Sequence, residues 1–184
     1  MSVTFKGFVR EGNHVTHTIV TWVRVPPEAA FAYVADITRH NEWAMNEIKV
    51  MPRTPGPVRL GSKYAAVGRQ GGKDWPSQLE VTGYEPSHRF EFTATGGPID
   101  TPDGDPHRHE FLFTPIDGGT ELEVRRTDPA PPNLPSWLFM NILAPVVLLY
   151  ARGHRLKTVE NLRARLDELA DSQAITTTYH GSKP

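Results

Sequence analysis

Cysteine is missing from all 184 residues of the sequence. The chain can therefore form no disulfide and offers no thiolate ligand to a metal ion. A composition without cysteine fits a reducing compartment, and the N-terminal residues lack the apolar run of a signal peptide. We therefore expect a cytoplasmic protein.

An excess of charge and long hydrophobic runs are missing as well. The net charge is −1 and lysine and arginine form no cluster, so we expect no nucleic-acid partner. The most apolar window, residues 137–151, contains Asn141 and Pro145. It is shorter than the roughly 20 residues that span a bilayer. The length of the chain favours a single domain.

Motifs for common kinds of catalysis are also absent. The sequence has no Gly-x-Ser-x-Gly elbow, no P-loop and no dinucleotide fingerprint, so covalent, phosphoryl and hydride chemistry find no support. No cofactor is expected.

The C-terminal part predicts one long amphipathic helix over residues 145–170. Pro145 suits its first turn, or marks a kink after a shorter segment at 137–144. Arg152 lies on the apolar face. Beyond residue 171 the periodicity ends, which predicts a domain over 1–171 and a loosely ordered tail over 172–184. The apolar positions with helical spacing are Leu148, Leu149, Leu156, Val159, Leu162, Leu166 and Leu169.

The preceding part of the chain predicts antiparallel strands and two short helices at 29–35 and 36–43. A two-residue turn at 71–72 sets Tyr64 opposite Leu79 and Gly68 opposite Trp75. The second clear hairpin turn is Asp117-Gly118. It sets Phe113 opposite Leu122, Phe111 opposite Val124, His109 opposite Arg126 and His107 opposite Asp128, all on one face. The predicted strands are 14–25, 62–69, 74–83, 89–95, 107–115 and 120–128, with shorter candidates at 3–9 and 46–51.

Several stretches resemble one known group of proteins. They are VPPEAAFAYVAD at 25–36, RHNEW at 39–43, GPVRLGSKY at 56–64, LEVTGYEP at 79–86, FLFTP at 111–115 and APVVLL at 144–149. Together they resemble the START/Bet v1-like (SRPBCC) superfamily, within it the polyketide cyclase/dehydrase and lipid-transport group. The resemblance extends over about residues 14–170.

This resemblance implies an α+β helix-grip fold. In that fold a curved antiparallel sheet, here of about six to seven strands, wraps around the long C-terminal helix, and the two short helices close one end. Such proteins usually hold an apolar ligand between sheet and helix. Some are cyclases or aromatases and many are carriers, and the group shares no catalytic motif from which a residue could be assigned.

Alternation along the strands identifies candidate lining residues on the face shared with the helix. They either fill a solid core or surround an apolar ligand, and both alternatives stay open. The candidates are Tyr64, Trp75, Leu79, Val81, Phe90, Phe92, Phe111, Phe113, Leu122 and Val124 from the sheet, and Leu148 from the helix.

A polar set gathers at one end of the same face. His107, His109, Arg126 and Asp128 lie there, and Asn141 and Arg152 are expected close by. Arg126 must pair with Asp128 or Asp105, reach water, or meet an anionic ligand group; Arg152 either does the same or extends into solvent. Two histidines and a carboxylate also match an iron site, but Arg126 would repel a cation, so no metal is expected.

Three functions follow as hypotheses. The first is a binding or carrier protein for a small hydrophobic molecule, either with or without an anionic group. The second is a polyketide cyclase, aromatase or dehydratase in which His109 is the acid/base and Arg126 stabilises an enolate. The third is a peripheral lipid-transfer protein. Its apolar region 137–149 would be buried, covered by a second subunit in a homodimer, or in contact with a membrane.

Overall fold

The computed structural model describes residues 2–45, 47–70, 72–96, 106–129 and 144–180. In these residues a single antiparallel sheet of eight strands has the order β1-β2-β8-β7-β6-β5-β4-β3. The strands are β1 (Thr4–Glu11), β2 (His14–Val23), β3 (Ile48–Pro52), β4 (Lys63–Gln70), β5 (Lys73–Glu85), β6 (Arg89–Gly96), β7 (His107–Ile116) and β8 (Gly119–Pro129). The helices are α1 (Pro27–Ala35), a 3₁₀ helix (Ile37–Glu42) and α2 (Ala144–His180).

The predicted hairpin registers are confirmed. Tyr64 pairs with Leu79 and Gly68 with Trp75 across β4 and β5. His109 pairs with Arg126 across β7 and β8, as do the two apolar pairs predicted beside them. The turns depend on Gly72 and Gly118, which both have a φ of +76°, a conformation that glycine adopts without steric cost.

The curved sheet and the long helix form the helix-grip fold that the resemblance implied. The sheet has eight strands rather than six to seven, because both shorter candidates form strands. These two, β1 and β3, are the edges of the sheet, where a strand pairs on one side only. Trp43 follows the 3₁₀ helix and is buried.

Helix α2 begins at Ala144, so Pro145 lies in its first turn as expected. The predicted end at residue 170 is wrong, because the helix continues to His180. Arg24, next to β2, binds the Asp171 carboxylate with both terminal nitrogens, at 2.7 and 3.0 Å. The last turns are polar and therefore gave no apolar periodicity. Residues 181–184 of the predicted tail lie outside the described residues.

The core lies between α2 and the concave face of the sheet. Val159, Leu162 and Leu166 of α2 are buried there. Phe31 of α1 closes one end by edge-to-face contacts with three aromatic rings of the sheet, 5.2 to 6.2 Å from its centroid. Such contacts add to the free energy gained from apolar burial. The three rings belong to Tyr84, Phe90 and Phe113.

Replacing Leu162 by alanine is expected to lower the free energy of unfolding by about 2–5 kcal/mol, because it leaves a cavity between helix and sheet. Leu60 is 64% exposed, and Leu60→Ala serves as the control, with an expected change within about 0.5 kcal/mol. Urea unfolding measures both. Equal losses in the two variants would contradict the position of α2 in the core.

Candidate ligand-binding site

Six polar side chains meet on the concave face, and we call them the inner polar cluster. Strand β2 contributes one of them, β7 and β8 two each, and α2 the sixth. The residues are His17, His107, His109, Arg126, Asp128 and Arg155. The sequence had predicted four of these together, and the structure confirms that those four lie at one end of β7 and β8.

Asp128 is at the centre of the cluster. Its Oδ1 accepts hydrogen bonds from His107 Nδ1 at 2.8 Å and Arg126 Nε at 2.7 Å. Its Oδ2 accepts one from Arg155 Nη2 at 2.5 Å. Burial alone would raise the pKa of Asp128, but the hydrogen bond from His107 and the charges of both arginines outweigh it and hold this pKa well below its usual range.

Arg155 is one of the two cluster members that the sequence did not predict, and His17 is the other. It follows Arg152 by three residues and precedes Val159 by four, so it shares the helix face that also carries Leu162. The spacing therefore contained the signal, but the apolar pattern favours Leu156, the next residue, on that face. Arg152 itself is exposed, with its guanidinium carbon 5.5 Å from the centre of the Phe5 ring.

Arg155 is also incompletely paired. Its Nη1 is buried and has no hydrogen-bond partner in the described part of the structure. Burial lowers the pKa of Arg155 and the charge of Asp128 opposes this, but a guanidinium stays protonated in proteins. A buried donor without an acceptor costs about 1–3 kcal/mol.

Positive charge exceeds negative charge in the cluster. Two guanidinium groups face one carboxylate. Burial lowers the pKa of His17 to about 4, with the charges of Arg155 and Arg126 adding to the effect. Burial and then Arg126 lower the pKa of His109 well below 6.5. The imidazoles of His17 and His109 are therefore neutral at pH 7. With two guanidinium groups and one carboxylate, the cluster favours an anion.

Apolar and aromatic side chains border the cluster. The His109 ring is stacked on Phe92, with 4.7 Å between centroids and 5° between planes. The ring centroid of His40, in the 3₁₀ helix, lies 5.5 Å from that of Phe92. His40 Nε2 also hydrogen-bonds the Val34 carbonyl at 3.0 Å. The sequence analysis did not single out His40, because a lone histidine in a short helix carries no periodic signal.

The predicted lining residues of the sheet lie on the concave face. Trp75 and Val124 are half-buried, whereas the other predicted lining residues of the sheet are buried. Asn141 and Asp105 lie outside the described residues, and only the backbone of Leu148 is described. A cavity between sheet and helix, and ligand contact by any of these residues, therefore stay predictions. The buried residues are Tyr64, Leu79, Val81, Phe90, Phe92, Phe111, Phe113 and Leu122.

The described ranges contain neither a metal-binding group of side chains nor a membrane-spanning helix. In that part of the chain, no group of three or more histidine, aspartate or glutamate side chains is arranged to hold a metal ion. The carboxylate of Asp128, which the iron hypothesis required, already binds two arginines. The helices of the described ranges include none that is long and apolar enough to cross a bilayer.

A family model described as polyketide cyclase / dehydrase and lipid transport matches residues 14–167. No curated protein matches the sequence. Among solved structures, CV1439 from Chromobacterium violaceum has 15% identity and a TM-score of 0.60, covering 83% of this chain and 96% of its own. Ms6760 from Mycobacterium smegmatis has 16% identity and a TM-score of 0.59, covering 92% and 99%. Ara h 8.0201 has 14% identity and a TM-score of 0.54, covering 81% and 98%. At these identities the similarity shows the fold alone.

Replacing Asp128 by asparagine is expected to lower the free energy of unfolding at pH 7 by about 3–5 kcal/mol, because it leaves the buried Nη1-bearing guanidinium of Arg155 and the partly exposed guanidinium of Arg126 without their counter-charge. The folded state depresses the pKa of Asp128. Its contribution is therefore complete above the unfolded pKa of about 4 and is lost as the pH falls further.

Urea unfolding between pH 7 and pH 2.5 measures this difference. It should be constant above pH 4 and shrink below it. Asp74→Asn is the control, since the Asp74 side chain is 71% exposed, and should change the free energy little at any pH. A difference for Asp128→Asn that stays constant down to pH 2.5 would argue against an ionised Asp128 at the centre of the cluster.

Proposed function

Because the chain belongs to the polyketide cyclase/dehydrase and lipid transport family, we propose that it binds a small hydrophobic molecule that carries an anionic group. The anionic group lies at the inner polar cluster, and the apolar part extends between the sheet and α2. A mostly apolar lining with a few convergent polar groups is the usual composition of such sites.

The observation that carries the proposal is the buried Nη1 of Arg155, which has no partner in the described residues. A ligand oxygen at this nitrogen would gain a charge-assisted hydrogen bond and remove the cost of the unmade one. Arg126 adds a second guanidinium whose side chain is 36% exposed, so a ligand can reach it.

The apolar part of the ligand contacts apolar side chains next to the cluster. Phe92 contacts His109 by stacking, and its centroid lies 6.4 Å from that of Phe111. The half-buried Val124 pairs with Phe111 on the neighbouring strand. These side chains lead from the charged end of the concave face toward the core.

Binding without turnover fits the cluster better than the cyclase alternative with His109 and Arg126. The two residues are paired across β7 and β8, as a shared substrate would require. A general acid or base works best with a pKa near the working pH, and burial holds the pKa of His109 well below that range. Lipid transfer and homodimer formation through 137–149 concern residues that are largely outside the described ranges, and both stay predictions.

Arg155→Gln is expected to weaken decanoate binding about tenfold or more, because a charge-assisted hydrogen bond of about 1.5–3 kcal/mol is lost. Binding of decanol, which has the same chain and no charge, should change less than about threefold. Isothermal titration calorimetry measures both ligands. Arg108→Gln, at an exposed position on the other face of β7, is the matched control and should bind both like the wild type.

Two results would count against the proposal. Equal weakening of decanoate and decanol by Arg155→Gln would show that Arg155 does not recognise the anionic group. A wild-type protein that binds neither compound would remove the proposed ligand class.

A further inference from the structure

Strand β1 is an addition to the part of the chain that the family model describes. That match begins at residue 14, the first residue of β2, whereas β1 covers Thr4–Glu11. The added strand pairs with β2 from Glu11 opposite His14 to Thr4 opposite Val20. It therefore extends the sheet by one strand, directly beside the strand that carries His17.

A β-bulge determines which β1 side chains face the cluster. The register between β1 and β2 shifts between Phe5 and Gly7, where Gly7 has a φ of +133°. Regular alternation would place Phe5 and Phe8 on opposite faces of the sheet. The extra residue brings both onto one face, so their ring centroids lie 6.5 and 6.4 Å from that of His17.

The helix completes this arrangement. The guanidinium of Arg152 lies over the Phe5 ring at 5.5 Å, within the range of a cation–π contact. Phe5 therefore connects the added edge strand to α2 on the side of the cluster where His17 lies. The His17 side chain is only 8% exposed, whereas that of Arg126 is 36% exposed.

From these contacts we infer that Phe5, Phe8 and Arg152 form a side wall of the inner polar cluster and limit the size of the ligand group that binds there. The inference rests on the proposed function. It narrows the ligand class to molecules whose acidic group is small and directly attached to the apolar part, such as a carboxylate. A glycerol ester of the same acid is too large for the walled cluster.

One arm of the test needs no ligand. NMR titration of His17 reports whether the wall excludes water, since burial is the first cause of its lowered pKa of about 4. Phe5→Ala and Phe8→Ala are expected to move this pKa toward 6.5 by at least one unit. Val9→Ala is the matched control, because Val9 is 59% exposed on the same strand, and should leave it unchanged. Phe5→Leu is a second, milder variant that keeps an apolar side chain at the edge and should shift it in the same direction.

The other arm measures selectivity by calorimetry. The wild type should bind decanoate at least tenfold more tightly than 1-decanoylglycerol, and Phe5→Ala and Phe5→Leu should each reduce that ratio at least threefold. The inference is overturned if the phenylalanine replacements leave the pKa of His17 unchanged. It is also overturned if they leave the ratio of decanoate to 1-decanoylglycerol affinity unchanged. If the wild-type protein does not bind decanoate, the proposed function is overturned. The His17 titration still tests the side wall in that case.

Discussion

The ion pairs of Asp128 connect the strands at one end of the sheet to the long helix. The carboxylate receives hydrogen bonds from β7, from its own strand β8 and from α2. At the other end of β2, Arg24 binds Asp171 of the same helix. Between these two polar contacts Val159, Leu162 and Leu166 are buried. Between residues 155 and 171 the helix is thus held by charge at two points and by apolar packing between them, and the cluster keeps its geometry for that reason.

Much of the fold could be predicted because local signals determine it. Asp117-Gly118 fixes the β7–β8 hairpin, and with it the pairing of His109 with Arg126. The same register brings His107 to Asp128. A two-residue turn admits only one alignment of its strands, so a short stretch of sequence predicts contacts far along the chain. The four polar residues found together at the end of β7 and β8 follow from this alone.

The rest of the site depends on contacts between elements that are distant in the sequence. His17 joins the cluster because β2 lies beside β8, and nothing in the sequence of β2 reveals that neighbour. Arg155 and Leu156 are adjacent, and only the rotation of α2 against the sheet decides which of them faces Asp128. The bulge at Gly7 cannot be read from alternation, since it is a departure from it. The end of α2 was missed because the helical spacing of apolar residues in the sequence stops near residue 170.

The buried Nη1 of Arg155, which has no hydrogen-bond acceptor in the described residues, also affects the free energy of unfolding when a ligand is present. A molecule that supplies an oxygen there binds the folded chain and not the unfolded one, so occupancy and resistance to unfolding rise together. At a ligand concentration one hundred times the dissociation constant, the gain is about 2.7 kcal/mol. The ligand-bound protein would then melt at a measurably higher temperature than the ligand-free protein. A melting curve of freshly purified protein would therefore show whether a native ligand had co-purified with it.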